Sequence, residues 1–344
     1  MMRVLEIQNE FGLENLHLAE RPTPEADDLQ PGEVLLEMRA ASLNFRDLRM
    51  VQGLYNPRQP LPLIPCSDGV GEVIAIGDGA EGVGRVAVGD RVATLFAQKW
   101  RAGEPTPERA RSTLGGPLDG TLAERMVLPA DGVVAVPDHL SDEEAATLPC
   151  AALTAWSALV AHGRIKAGDT VLLQGTGGVS IFALQFARLL GARVVITSSS
   201  DEKLERARDL GAWETINYRT TEAWGKEARK LTGGRGVDHV VEVGGAGTLE
   251  QSLAAVRMGG SISIIGVLDS TRSPVNVIPI LMNQIRLQGI LVGHRDSFEA
   301  MNRAIAEARL KPIVDRTFPL EETRAALDHM AAGRHFGKVC VRVG

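Results

Sequence analysis

The chain has 344 residues, of which 44% are hydrophobic and 23% charged, with a net charge of −6 from 37 basic and 43 acidic side chains. That length suits about two domains of ~100–200 residues, with ample apolar material for their cores. A mildly acidic surface without long runs of one sign argues against nucleic acid or an anionic membrane as partner. Two Tyr and four Trp offer no stacking platform for single strands.

The start, Met1-Met2-Arg3-Val4-Leu5-Glu6-Ile7, meets charge at once and lacks the apolar core of a signal peptide. No stretch approaches the ~18 apolar residues of a membrane span. Cys66, Cys150 and Cys340 are widely spaced and odd in number, which points away from a disulfide framework and toward a reducing, cytoplasmic setting.

The first 130 or so residues read as β-rich: short apolar runs (Val34–Met38, Gly71–Ile76, Arg91–Phe96) are separated by turns such as Pro31-Gly32 and Gly89-Asp90. The polar stretch Gln98–Gly120 reads as an excursion loop with a solvated, charged surface, or alternatively as a lid over a pocket, which Trp100 would help to line. From Pro137 the texture changes. Ser141 with Glu144 forms a capping box that opens a helix toward Trp156. Strands are expected at Thr170–Gln174, Val194–Thr197, Glu214–Asn217, Val237–Val243, Ser261–Val267 and Ile285–Gly293, with amphipathic helices between them. Such alternation implies a doubly wound parallel sheet, hence an α/β fold. The last ~40 residues are mixed and end in a short strand, Lys338–Val343.

Between the first of those strands and its helix stands Gly175-Thr176-Gly177-Gly178-Val179-Ser180. Glycines at a strand-to-helix turn let backbone approach a pyrophosphate, whose charge the helix N-terminus favours. Ser180 holds the third small position and still permits close helix–strand packing. By itself the pattern is weak; inside a full strand–helix series it points to a dinucleotide. The next strand ends in Ser198-Ser199-Ser200-Asp201 with Lys203 and Arg206 downstream. An acid at that tip would hold both ribose hydroxyls, whereas hydroxyls with a cation suit a 2′-phosphate, so NADP(H) is preferred. Alternatively the serines only cap the following helix, and Asp201 reaches a ribose of NAD(H).

Several segments carry a family resemblance: Ala41-Ser42-Leu43-Asn44-Phe45-Arg46-Asp47, Pro65-Cys66-Ser67-Asp68-Gly69-Val70-Gly71-Glu72-Val73, Val88-Gly89-Asp90-Arg91-Val92, Leu148-Pro149-Cys150 through Trp156, and His335-Phe336-Gly337-Lys338-Val339. Across essentially its whole length the chain resembles the medium-chain dehydrogenase/reductase superfamily, and within it the zinc-free quinone oxidoreductase branch with its alcohol dehydrogenase-like relatives. The resemblance implies a GroES-like β-rich catalytic domain from residues 1–136 and 300–344, a Rossmann domain inserted at 137–299, an active site in the cleft, and a homodimer. It also implies that Lys203 and Tyr218 help to hold the adenosine phosphate, although Tyr218 is equally read as covering the adenine edge or filling the surface after a strand. Gly266, Val267 and Lys338 are counted with them as candidate cofactor contacts.

In zinc-dependent members a Cys, a His and a second Cys or Asp bind the catalytic metal; the matching positions here are Asn44, Ser67 and Cys150. One soft ligand cannot complete the usual three-ligand set, so no zinc is expected. A four-Cys structural lobe is also missing, since residues 95–115 contain no Cys. Asn44 has two compatible readings: an N-cap with Asp47 at N3, or an amide facing nicotinamide or a substrate oxygen. Tyr55 either donates to substrate or packs its loop. Asp47 leans structural, and Asp68 is suited to tether a cleft residue. Without a Lewis acid, a conjugated acceptor that spreads incoming negative charge is the better substrate. The expectation is NADPH-dependent reduction of a small quinone or α,β-unsaturated carbonyl. Alcohol oxidation and a non-catalytic NADPH-binding scaffold or sensor are the alternatives.

Overall fold

Strand pairing begins at the N-terminus, where β1 (Met2–Ile7) lies antiparallel to β2 (Leu16–Arg21). There follow β3 (Glu33–Leu43), β4 (Asp68–Ile76), β5 (Arg91–Thr94), β6 (Arg125–Pro129) and β7 (Val133–Ala135). A second series comprises β8 (Thr170–Gln174), β9 (Arg193–Ser198), β10 (Glu214–Asn217), β11 (Val237–Glu242), β12 (Val256–Ile264) and β13 (Arg286–Gly289). The chain then returns with β14 (Val314–Pro319) and β15 (Lys338–Arg342). The computed structural model describes residues 1–78, 86–268, 272 and 274–344, and two units emerge: Met1–Leu153 with Gly293–Gly344, and Thr154–Val292.

In the first unit the described strands form one sheet in the order β14-β15-β3-β4-β5-β7, with β6 also on β3, and β1 and β2 pair beside it. β3 is the spine. Gly32, at φ +84°, turns the chain into it as only glycine does without strain, and its apolar residues reach a core that includes Val4, Leu36, Met38, Leu48, Val51, Leu327 and Val341. β15 pairs antiparallel with β3, Val339 opposite Leu43, so the last strand is stitched to the first long one.

In the second unit the order is β10-β9-β8-β11-β12-β13, all parallel. β8 and β11 are buried along their whole length, as central parallel strands covered by helices on both faces must be. The strand order reverses between β8 and β11, the crevice where doubly wound sheets hold ligands. Phe186 anchors the covering helix: it is fully buried, with Trp156 edge-on at 5.4 Å and Phe182 stacked at 6.0 Å.

The change of unit falls later, and the return earlier, than the expected 136/137 and 299/300. The capped helix Asp142–Ala146 packs on β3 and β4, and Arg295–Ala308 packs on β7, so both belong to the first unit. The segment after the cap continues toward His162 in wider, π-type turns that begin at Leu148-Pro149, where proline lacks an N–H for the regular ladder. β12 starts five residues before Ser261, and β13 is confined to Arg286–Gly289 at the sheet edge. In the 98–120 segment Lys99, Arg101 and Glu108 are solvated as expected, but Gln98, Trp100 and Ser112–Leu114 are buried. Trp100 packs edge-on against His294 at 5.8 Å and donates from Nε1 to the Gly103 carbonyl. Among the described residues no helix is long and apolar enough to cross a membrane.

Candidate active site

Asn44 stands where β3 gives way to the helix Phe45–Val51, and it is the N-cap of that helix. Asp47 occupies N3 and its Oδ2 accepts from the Asn44 N–H at 2.8 Å, which is the structural reading of the pair. The register of β15 on β3 decides where the Asn44 side chain goes. It brings Lys338, 3% exposed, alongside: Nζ donates to the Leu43 carbonyl at 2.7 Å and to Asn44 Oδ1 at 2.6 Å. Expected among the cofactor contacts, Lys338 thus directs its ammonium into its own unit. Burial raises the Asp47 carboxyl above its usual range, against the opposing pull of the Arg46 and Lys338 charges.

A second carboxylate completes the cluster. Asp68 Oδ1 accepts from Ser67 Oγ at 2.8 Å and Oδ2 from the Cys150 N–H at 3.1 Å, so it tethers the segment after the capped helix to β4. Desolvation pushes its pKa up to about 6, with Lys338 pulling the other way. A catalytic zinc takes thiolate, imidazole or carboxylate donors. Here the three matching positions offer a neutral amide, a hydroxyl and a thiol that burial shifts well upward, and an ammonium already lies on the amide oxygen. That set does not fit the metal. Among the described residues no group of three or more His, Cys, Asp or Glu is disposed to hold one.

Tyr55 follows the same helix and is 51% exposed. One residue near it escaped the sequence reading. Arg46 lies with its guanidinium carbon 4.9 Å from the ring centres of both Tyr55 and Phe96. It donates to the carbonyls of Leu114 (2.9 Å) and Gly116 (3.1 Å). Within the quoted segment Arg46 looks like any exposed helix residue; only the fold of the 113–118 turn back onto the helix reveals a clamp.

The second unit carries the glycine turn expected to hold a dinucleotide. Gly175 has φ +68°, a conformation that asks for glycine, and a Cβ there would meet nothing within 4 Å, leaving the turn open to an approaching group. Gly177 is the N-cap of the helix Gly178–Leu189, whose first N–H groups, from Gly178 and Val179 onward, have no intrahelical acceptor. Thr176 is buried between the glycines. Ser180 Oγ donates to the Gln174 carbonyl at 2.6 Å, so the serine in the third small position ties helix to strand. These residues fit a dinucleotide pyrophosphate.

Beneath the turn lies a network the sequence did not announce. Glu242, fully buried at the end of β11, accepts from the Gly244 and Gly245 N–H groups, Thr248, Ser252 and Gln174 Nε2. Gln174 Oε1 accepts in turn from the N–H groups of Val243 and Gly244. The tips of β8 and β11 are thereby fastened together at the crevice. Its only sequence signal is an acid closing a strand, Val237–Glu242, that is buried throughout.

At the tip of β9, Ser198 is buried and Ser199 half-buried. Ser200 Oγ accepts from the Lys203 N–H and caps the helix Asp201–Asp209, so the capping reading holds for that serine. Asp201 Oδ1 accepts from Asn217 Nδ2 at 2.7 Å. Tyr218 is 42% exposed and its N–H donates to the Ser198 carbonyl, which sets Ser198, Ser199, Lys203 and Tyr218 around adjoining strand ends. Gly266 and Val267 follow β12; a Cβ on Gly266 would lie 2.4 Å from the Val243 oxygen, and Val267 is exposed.

Comparison with known proteins agrees with this architecture. Residues 30–138 match the alcohol dehydrogenase GroES-like domain, and residues 178–307 match the zinc-binding dehydrogenase family. The chain is 43% identical, over 96% of each sequence, to a zinc-type alcohol dehydrogenase-like protein of Schizosaccharomyces pombe. It is 31% identical to an acryloyl-coenzyme A reductase of Metallosphaera sedula, over 92% of this chain and 94% of that one. A presumed alcohol dehydrogenase of Sinorhizobium meliloti 1021, known from its crystal structure, superposes with a TM-score of 0.92 at 42% identity, covering 99% of this chain and 98% of that one. The chain belongs to the medium-chain dehydrogenase/reductase superfamily, alcohol dehydrogenase-like, and is an oxidoreductase of that family.

The buried Asp68 carboxyl has a measurable consequence. With its pKa raised to about 6, the folded chain retains a proton between pH 4 and 6 that the unfolded chain releases, so this stabilising contribution is lost as pH rises through 6. Relative to Asp68→Asn, the parent should lose roughly 2.4 kcal/mol of unfolding free energy between pH 4 and pH 7. Urea titrations of both proteins across that range check this; a difference independent of pH would contradict it.

Proposed function

We propose that this enzyme reduces an α,β-unsaturated carbonyl or a quinone with NADPH, without zinc. The observation that carries the reading is the Lys338–Asn44 pair, with 2.6 Å between Nζ and Oδ1 at a position matching a zinc ligand of the metal-dependent relatives. A bound nicotinamide dinucleotide supplies the hydride. The chain's own residues then have two tasks: to meet negative charge as it develops on the acceptor oxygen, and to let a proton follow.

In a saturated ketone that charge gathers on one oxygen, where a Lewis acid is worth several kcal/mol. In a conjugated acceptor it is spread, and neutral hydrogen-bond donors suffice. Asn44 Nδ2 and the half-exposed Tyr55 hydroxyl are the donors this unit offers, with Tyr55 or solvent delivering the proton. The acryloyl-coenzyme A reductase relative supports a conjugated carbonyl. The alcohol dehydrogenase names among other relatives make alcohol oxidation the competing reading. NADPH consumption should appear with at least one class among enones, enals, enoyl thioesters and quinones, and a strong chelator should leave it unchanged. Turnover confined to alcohols, or abolished by the chelator, would establish the competitor.

The cofactor preference rests on the two tips that gather Ser198, Ser199, Lys203 and Tyr218, and on the engagement of Asp201 by Asn217, which draws that acid away from a ribose. A charge-assisted bond to phosphate contributes about 1.5–3 kcal/mol. Lys203→Ala should therefore raise the KM for NADPH about tenfold or more and leave that for NADH within threefold. Equal effects on both would count against a phosphate role.

The same reading includes a cytoplasmic homodimer. β13 is a sheet edge, and Val277, Ile278, Leu281 and Met282, which precede it, are each more than 60% exposed, an apolar surface of the kind a partner covers. Light scattering at micromolar concentration should return twice the chain mass of 36.8 kDa; a monomer would remove this part of the proposal.

A further inference from the structure

We propose that Lys338 is the positioning residue of this site. It holds the Asn44 amide by its oxygen, so that the loosely held nitrogen is the atom that meets the reacting carbonyl, and it lends that amide positive charge from within the protein. The inference rests on the reading above and says how the site works without a metal.

The first step is which way the amide faces. Oxygen and nitrogen of an asparagine are told apart by their partners, and an ammonium offers three donors and no acceptor. The Asn44 atom 2.6 Å from Nζ is therefore the oxygen. A second ammonium hydrogen goes to the Leu43 carbonyl at 2.7 Å, which fixes Nζ against the end of β3 and makes the arrangement rigid. Lys338 is 3% exposed, so no solvent shell competes for its charge.

The second step concerns the nitrogen. Asn44 Nδ2 faces the Ser42 carbonyl and Ser67 Oγ, each at 3.5 Å, the outer limit of a hydrogen bond. Ser67 directs its own proton to Asp68 at 2.8 Å, and Asp68 in turn takes the Cys150 N–H. Asp68 lies on the same side and draws on the amide as well, yet no partner of Nδ2 is closer than 3.5 Å, so a carbonyl at ordinary hydrogen-bond distance would compete with them. With Asp68 on one side and Lys338 on the other, the local field runs along the amide dipole and holds it in this sense. A hydrogen bond accepted by the amide oxygen also strengthens the donors on the same group. The buried charges close on themselves: Lys338 and Arg46 against Asp47 and Asp68.

The third step separates this role from the plainer one, in which Lys338 binds cofactor phosphate. A phosphate ligand acts on cofactor affinity, whereas a residue that orients an oxyanion donor acts on turnover, and loss of such a donor costs about 10²–10³ in kcat. Lys338→Met should lower kcat with the preferred acceptor about 100-fold and leave the Kd for NADPH, read by fluorescence quenching, within threefold. In an Asn44→Ala background the same change should cost less than threefold, because the residue it acts through is gone. Lys338→Arg should recover part of the loss.

Two further measurements keep the proposal exposed. Asn44→Asp preserves shape and gives Lys338 a carboxylate partner while removing the amide donor, so the variant should lose kcat about 100-fold, independently of whether Lys338→Met folds. In protein labelled with 15N-asparagine, the Asn44 side-chain amide protons should shift upfield when Lys338 becomes Met, without substrate or turnover. An unmoved amide signal, full kcat in Asn44→Asp, additive costs in the double variant, or a tenfold rise in Kd for NADPH at unchanged kcat would each overturn the assignment. Should the parent oxidise only alcohols in a chelator-sensitive manner, the proposed function fails, while the labelled-amide result still decides whether Lys338 orients Asn44.

Discussion

The antiparallel pairing of β15 with β3 is the contact on which the candidate site depends. It joins residues almost 300 positions apart, opposing Val339 to Leu43, and so seats the Lys338 ammonium on the Leu43 carbonyl and the Asn44 oxygen. Removing that register would leave Asn44 as an ordinary helix cap, with an amide free to take either orientation. It would also leave a buried cation without its acceptors, a strongly destabilising state. Local helix chemistry and long-range sheet pairing thus converge on one side chain.

The second unit solves a different problem by similar means. Parallel strands end at a crevice where backbone donors must stay available to a ligand while the strands themselves remain fixed. The glycine turn after β8 provides the donors, and the Glu242–Gln174 network beneath it provides the rigidity. Glu242 is fully buried and accepts from five groups, which is how a carboxylate is tolerated inside a sheet. Both units therefore share a design: polar groups held in place by buried partners.

Much of this was legible beforehand where the signal is local. The capping box at Ser141, the six parallel strands, the glycine turn and the N-cap at Asn44 all follow from short-range patterns, and the structure contains them within a few residues. The serine tip admits two readings from sequence; the structure shows the cap at Ser200, while the Ser198 hydroxyl accepts from the Ser200 N–H. What escaped was non-local. Arg46 becomes a clamp because the 113–118 turn folds onto its helix, Lys338 turns inward because of a register, and the unit boundaries move because Asp142–Ala146 and Arg295–Ala308 pack on the first sheet.

The sequence by itself determined the family, the two kinds of sheet, the glycine turn, and the replacement of zinc-ligand residues by Asn44 and Ser67. Each of these is written in residue type and near-neighbour spacing, to which backbone geometry and donor chemistry respond directly. Only the tertiary structure decided which atom of Asn44 faces which partner, that Asp68 is buried with a raised pKa, and that Glu242 fastens the nucleotide crevice. Those properties depend on the dielectric and the hydrogen-bond partners around each group, and both are supplied by strands and turns tens to hundreds of residues away.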